Sequence, residues 1–253
     1  MPATPYDDIN VLLESLLSQF LHVLQQQLVG VYLYGSLTAG DFDHESSDID
    51  LLVATRTDIS KAEFEALDAV HRDFAIANPE WDNRIEVAYL SVTALQTFKT
   101  ETSRIAVISP GEPFHMKDAG RDYLQNWYAV REIGKTLVGP LPTAVIAPIT
   151  QDEFVHAVRV YVKWVGDKVG RSRKGQAYAI LTMCRALHVH RLGMQASKRQ
   201  AALWAQKELP EWSPLIQNAL AWRAAWRDES VNHAATYPDT VRFVTFVRDQ
   251  ILA

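Results

Sequence analysis

Residues 31–53 read VYLYGSLTAGDFDHESSDIDLLV, and the fold turns on this stretch. The run VGVYLYGS has the composition of a short strand that delivers Gly35 and Ser36 at its end. Twelve positions after Ser36 come Asp48 and, two further on, Asp50, at the head of a second strand-like run, DIDLLVA, over 48–54. Residues two apart in a strand share a face, so Asp48 and Asp50 project together while Ile49 and Leu51 project to the other side. Two carboxylates held side by side repel each other and call for a proton or a metal. Hard oxygen ligands of this kind suit Mg²⁺, which also holds nucleotide phosphates. Glycine lets backbone amides come close to a phosphate, and the hydroxyl of Ser36 can donate to one.

Reading outward, Glu86 lies inside an otherwise apolar strand-like run, RIEVAYL over 84–90, where an unpaired charge would be costly. If that strand lies beside the Asp48–Asp50 strand, three carboxylates converge. Such a set can hold two metals, or one metal together with a general base. Ser60 and Glu63 spell a capping box for a helix running to about Ala77, and the apolar spacing from Ile9 to Leu24 marks an earlier helix over 7–27. Residues 101–120 show no period and are expected to be irregular, with a helix following from Asp122 to Glu132. Pro140, Pro142 and Pro148 then interrupt the chain. The domain division is placed there, giving 1–145 and 146–253. Beyond Gln151 the pattern is helical throughout: 152–169, Gln176–Leu192 stopped by Gly193, a helix capped by Ser197, then 213–229 and 238–252. The expected fold class is α+β, a small mixed β-sheet domain followed by an all-helical C-terminal domain.

Composition narrows the functions. The chain has 253 residues and a formal net charge of −5, without the basic excess that gripping long nucleic acid requires. Cys184 is the one cysteine, so no intrachain disulfide can form. A basic-then-apolar leader and an apolar run long enough to cross a membrane are both missing, and a cytoplasmic enzyme without membrane attachment is expected. A monomer is the expected state.

The Gly-Ser, Asp-x-Asp and strand-borne Glu together resemble the active-site signature of the DNA-polymerase-β-type nucleotidyltransferase superfamily. The stretch VREIGKTLVGP, the helical C-terminal half and LTMCRALHVHRLGMQASKRQAALWA resemble the aminoglycoside 3''/9 adenylyltransferases of streptomycin and spectinomycin resistance. The resemblance implies a nucleotidyltransferase domain and a helical domain, with ATP and a small-molecule hydroxyl acceptor bound between them. It implies that Gly35 and Ser36 bind phosphate, that Asp48 and Asp50 hold Mg²⁺, and that Glu86 is the catalytic base and a further metal ligand. It also implies that Arg185 and Lys198 touch the nucleotide phosphates. Lys198 has a second argument: it follows Ser197 at a helix N-terminus, where the helix dipole disfavours a cation unless an anion shares the spot. Arg185 otherwise reads as an arginine snorkelling from an apolar helix.

For the acceptor, the resemblance points to Trp164 and Asp167, and Trp127 is a further candidate lining residue. His115, His188 and His190 read more simply as core or surface histidines. The family holds its cationic acceptor with acidic groups, whereas GRSRKGQAY carries Arg171, Arg173 and Lys174. Either these face solvent on a loop, or they face the acceptor and it is neutral or anionic. Three functions stay open at this point: an aminoglycoside adenylyltransferase, the same chemistry on another small molecule or a protein side chain, and a non-catalytic nucleotide-binding or antitoxin-like protein.

Overall fold

The computed structural model describes residues 2–166, 169–224 and 233–253. Two packing units form, one from residues 1–40 and 48–149, the other from 41–47 and 150–253.

The first unit is built on six strands: β1 (Leu28–Tyr34), β2 (Ile49–Thr55), β3 (Ile85–Ser91), β4 (Ser103–Ser109), β5 (Glu112–Ala119) and β6 (Lys135–Val138). They run in the order β5-β4-β3-β2-β1-β6. β2 and β3 are parallel and every other neighbouring pair is antiparallel, so the sheet is mixed. A parallel pair needs a crossover. Here it is made by α3 (Lys61–Ala77), whose start carries the Ser60–Glu63 capping box read from the sequence. Around the sheet lie α1 (Asp7–Leu24), α2 (Ser36–Ala39), α4 (Val92–Thr97), α5 (Leu124–Ile133) and α6 (Pro142–Val145). Tyr89 of β3 meets α3 through a 2.8 Å hydrogen bond between its hydroxyl and His71, and meets α1 through an edge-on contact with Phe20. Strand alternation therefore turns Ile85, Val87 and Tyr89 towards α1 and α3, and turns Glu86 to the opposite face.

Residues 101–120 are not irregular but form the β4–β5 hairpin, turning through Gly111 at a φ of +89°. The strand signal fails there because β5 is the edge of the sheet. Its sequence, EPFHMKDA, buries little beyond Phe114 and Ala119, so no apolar alternation shows.

The second unit consists of α7 (Gln151–Gly166), α8 (Arg173–Leu192), α9 (Lys198–Glu208), α10 (Ser213–Ala224) and α11 (His233–Leu252). α8 is its axis, burying Ile180, Leu181, Cys184 and Leu187. A polar knot sits inside this core. The amide of Gln176 donates to the carbonyls of Arg171 and His233 and accepts from the hydroxyls of Thr236 and Thr240. α8 begins at Arg173, ahead of the expected Gln176, because Ser172 caps it by accepting from the amide of Gly175. Arg173 is thus not on a solvent loop but buried on the first turn, while Arg171 lies 4.7 Å over the ring of Tyr237 and Lys174 is exposed. Likewise α11 starts five residues before Pro238, which the sequence reading took as its threshold. Among the described residues no helix is long and apolar enough to cross a membrane.

Candidate active site

The end of β1 places Tyr34 opposite Asp50 on β2, and Asp50 stands level with Glu86 on β3. Side chains in register on neighbouring strands share a face, so Tyr34, Asp50 and Glu86 form one row across the sheet. The chain leaves β1 through Gly35 at φ +72° and ψ −143°, and a Cβ at this position would strike the Asp50 carboxylate. Only glycine combines that backbone with so close an approach. At Ser36, the next residue, the hydroxyl oxygen is buried and has no hydrogen-bond partner. A buried polar group left unsatisfied costs about 1–3 kcal/mol, and a ligand that supplies the missing bond recovers it. Asp48 precedes β2 by one residue and Asp50 by two, so extended backbone turns it to the same side.

The row is backed by aromatic and polar groups from three other elements. The Tyr34 hydroxyl donates to Glu86 Oε1 over 3.5 Å and accepts from Asn126 of α5. Burial holds the Tyr34 phenol well above its usual pKa; the carboxylates of Glu86 and Asp50 push it higher, against the Asn126 hydrogen bond. Tyr123, just ahead of α5, is also raised, first by burial and then by Glu86 and Asp122, with Lys117 opposing. Lys117 of β5 hydrogen-bonds Tyr123. Burial works against its charge, but Tyr123 and the carboxylates of Glu112 and Asp122 prevail and raise its pKa. Sequence reasoning passed over all four of these residues. Tyr34 was in plain view beside Gly35, Lys117 lies in the stretch 101–120 that shows no period, and Tyr123 and Asn126 lie in the expected helix from Asp122, where nothing in the sequence marks them as facing the row.

Among the described residues no group of three or more His, Cys, Asp or Glu is placed to hold a metal unaided. The expected Asp48–Asp50–Glu86 set is therefore not a ready-made cage. Mg²⁺ seldom uses one: it keeps several waters and takes one or two carboxylates together with substrate phosphates. The neighbouring Asp50 and Glu86, with the unsatisfied Ser36 hydroxyl for a phosphate, fit that mode.

In the helical unit, Lys198 is the first residue of α9, behind a Ser197–Gln200 capping box, and its ammonium lies 5.5 Å over the ring of Tyr178. The Tyr178 hydroxyl meets that of Tyr161 at 2.7 Å, and Tyr161 stacks on Trp164 with ring centroids 5.8 Å apart. The Tyr161 phenol is pushed up by burial and by Tyr178, and pulled the other way by Arg185. Two tyrosines that the sequence reading did not single out thus connect Trp164, Arg185 and Lys198. Trp164 and Tyr178 are both about half exposed, at 52% and 47%. Asp167 lies outside the described residues. Trp127 does not line a site: it is 1% exposed and stacks on Tyr123 at 5.2 Å, supporting that residue from behind. His115 and His188 bond the carbonyls of Pro113 and Met194, and His190 has a pKa lowered by burial and by Arg159 and Arg191.

Residues 41–47, which join the two halves of the opening motif, pack with the helices. The Asp41 carboxylate accepts from the backbone amide of Arg199 at 3.1 Å and from the guanidinium of Arg223 at 3.4 Å. Arg223 also donates to the Ser47 hydroxyl at 3.3 Å. The first turn of α9 therefore meets an anion from the chain itself, which eases the presence of Lys198 at a positive helix end.

The comparisons with known proteins divide along the same lines. Residues 14–113 match the model of the nucleotidyltransferase domain, and residues 144–250 match that of the aminoglycoside adenylyltransferase C-terminal domain. No curated protein matches the sequence. Among solved structures the chain is similar to spectinomycin adenyltransferase AAD(9) from Enterococcus faecialis, crystallised with ATP and spectinomycin. The identity is 14% and the TM-score 0.76, covering 96% of this chain and 99% of that one.

Proposed function

From the matches of residues 14–113 to the nucleotidyltransferase domain and of residues 144–250 to the aminoglycoside adenylyltransferase C-terminal domain, we propose that the chain moves AMP from ATP to a hydroxyl of a streptomycin- or spectinomycin-like antibiotic and releases pyrophosphate. The observation that carries the chemistry is the register of Asp50 and Glu86 on adjacent parallel strands beside Gly35–Ser36. The choice of acceptor is supported by the match over 144–250 and by the likeness to a spectinomycin adenyltransferase crystallised with ATP and spectinomycin.

In this reading the acceptor oxygen forms a bond to the α-phosphorus as the bond from that phosphorus to the bridging oxygen breaks. The electron pair of the broken bond leaves with pyrophosphate, and the acceptor proton passes to Glu86. Asp48, Asp50 and Glu86 would hold Mg²⁺, which when bound neutralises charge on the phosphates. Ser36 gains through a phosphate oxygen the hydrogen bond its buried hydroxyl lacks. Lys198 and Arg185 are assigned the triphosphate, as fixed cations that need no reorganisation during the reaction. Trp164 and Asp167 are assigned the acceptor. The bound state of Arg171 and Arg173, one over Tyr237 and one buried, weakens the objection that they would repel a cationic acceptor.

The test is incubation of the purified chain with each nucleoside triphosphate, Mg²⁺ and an aminoglycoside panel. Pyrophosphate and acceptor mass are followed together. The expected result is Mg²⁺-dependent pyrophosphate release with ATP and an adenylylated spectinomycin or streptomycin. Turnover with neither drug, by protein that still binds MgATP, would overturn the acceptor assignment.

A further inference from the structure

We propose that a cavity on the face of the sheet opposite Glu86 binds a compact, neutral, bicyclic heteroaromatic molecule, whose in-plane acceptor atom takes a hydrogen bond from His71 Nδ1. This site stands apart from adenylyl transfer and does not depend on that reading.

The cavity has a volume of about 280 Å³ and lies between the second half of α3, the start of β3 and the β4–β5 turn. Phe74, Trp81, Ile85, Ile108 and Pro113 give it apolar walls. A cavity of about 150 Å³ holds benzene, so this one has room for two fused rings. Its frame is tied together: Asn83, at φ +59°, accepts through Oδ1 from the backbone amide of Gly111 in the turn. His71 lines the same space and is 5% exposed. Its Nε2 lies 2.8 Å from the hydroxyl of Tyr89, a residue with no exposed surface. Among the described residues that hydroxyl has no other hydrogen-bond partner. Tyr89 must therefore donate to Nε2, since otherwise its proton would be buried without an acceptor. Burial lowers the His71 pKa to about 4, so the ring is neutral and its one proton sits on Nδ1. Among the described residues nothing accepts from Nδ1. An N–H so enclosed gains from a ligand that brings an acceptor. Charge is selected against in both senses: the exposed Asp82 and Glu112 repel an anion, and the apolar walls disfavour a cation.

The experiment titrates the full chain, in mildly alkaline buffer where isoquinoline is neutral, with isoquinoline and with indole. The first offers an acceptor nitrogen; the nitrogen of the second only donates. Calorimetry should give isoquinoline a Kd of about 0.1–1 mM, ordinary for a ligand of this size, and the backbone amide signals of Ala75, Asn83 and Gly111 should shift on binding. Indole should bind at least about threefold more weakly. His71→Phe keeps the space and removes the donor, so isoquinoline affinity should fall by about 3–10-fold and the preference over indole should vanish. Tyr89→Phe frees the proton to sit on either ring nitrogen; it should narrow the same preference, and it serves as the test if His71→Phe does not fold. Ala75→Trp, which fills the cavity from its half-exposed edge, should abolish binding of both molecules. The site is overturned if isoquinoline does not bind, if the three amides stay still when it does, or if a folded Ala75→Trp binds it undiminished. Equal affinity for indole, or unchanged isoquinoline affinity in His71→Phe, overturns the role of His71 and with it the acceptor requirement.

Discussion

Gly35→Ala is the sharpest single perturbation of the site, because two separate costs meet at one atom. At φ +72° and ψ −143° the backbone sits in a region that side chains rarely enter, worth about 1–3 kcal/mol. The added methyl would also collide with the Asp50 carboxylate, so either the turn opens or Asp50 leaves its place in the row. Strain alone predicts a loss in melting temperature of roughly 2–12 °C for a chain of this size. Displacement of Asp50 adds to it and removes activity by orders of magnitude, as for the loss of a metal ligand. The two terms separate in a double-mutant cycle. In an Asp50→Ala background the collision with the carboxylate disappears, and the strain remains with a tight 3.1 Å approach to the Cβ that alanine keeps. Urea unfolding followed by circular dichroism and tryptophan fluorescence should show a smaller cost for Gly35→Ala there than in wild type. Equal costs in the two backgrounds would refute the collision, and wild-type turnover of Gly35→Ala would refute the placement of the site.

On the proposed reading of Asp50 as a metal ligand, Asp50→Asn should fold normally and lose turnover by orders of magnitude, with like-charge repulsion relieved; pyrophosphate release with a thermal melt checks both halves. His71 is buried against Tyr89 and its pKa is lowered to about 4 by that burial. The unfolded chain gains this proton near pH 6.5 and the folded chain only near 4. Stability from this residue should therefore be complete above pH 6.5 and should fall by about 3 kcal/mol towards pH 4. Urea unfolding across that range should show the slope, and His71→Gln should flatten it. Asp41→Asn should cost about 1–3 kcal/mol, because Arg223 then keeps a largely buried charge with a weaker partner; a control at Asp68, whose partner Arg72 is exposed, should shift stability by less than about 1 kcal/mol.

What the sequence disclosed follows from how locally each feature is encoded. Asp48 and Asp50 could be placed on one face because strand alternation needs only neighbouring residues, and Glu86 stood out because a charge in an apolar strand demands a reason. The capping box at Ser60 and the helix cap at Ser197 were legible for the same cause: each is complete within four residues. The β4–β5 hairpin was not, since an edge strand need bury only part of one face. Tyr161 and Tyr178 were missed because their contact joins two helices, and nothing in either helix marks its partner. The solvent-loop alternative for Arg173 fails for a related reason. Six residues of loop composition, GRSRKG, conceal that Ser172 caps a helix, and that fact puts the arginine inside.

The loop of residues 41–47 also has a consequence for the order in which the molecule is made. Asp41 is synthesised early, yet its partner Arg223 lies 182 residues further along the chain. While the first sheet is emerging from the ribosome, that partner does not exist, and neither does the first turn of α9. A contact so distant in sequence forms late in folding, after shorter loops have closed. The segment of residues 41–47 is thus fastened late, by helices made long after it, and a nascent chain carries Asp48, Asp50 and Glu86 well before it can hold that segment in its final place.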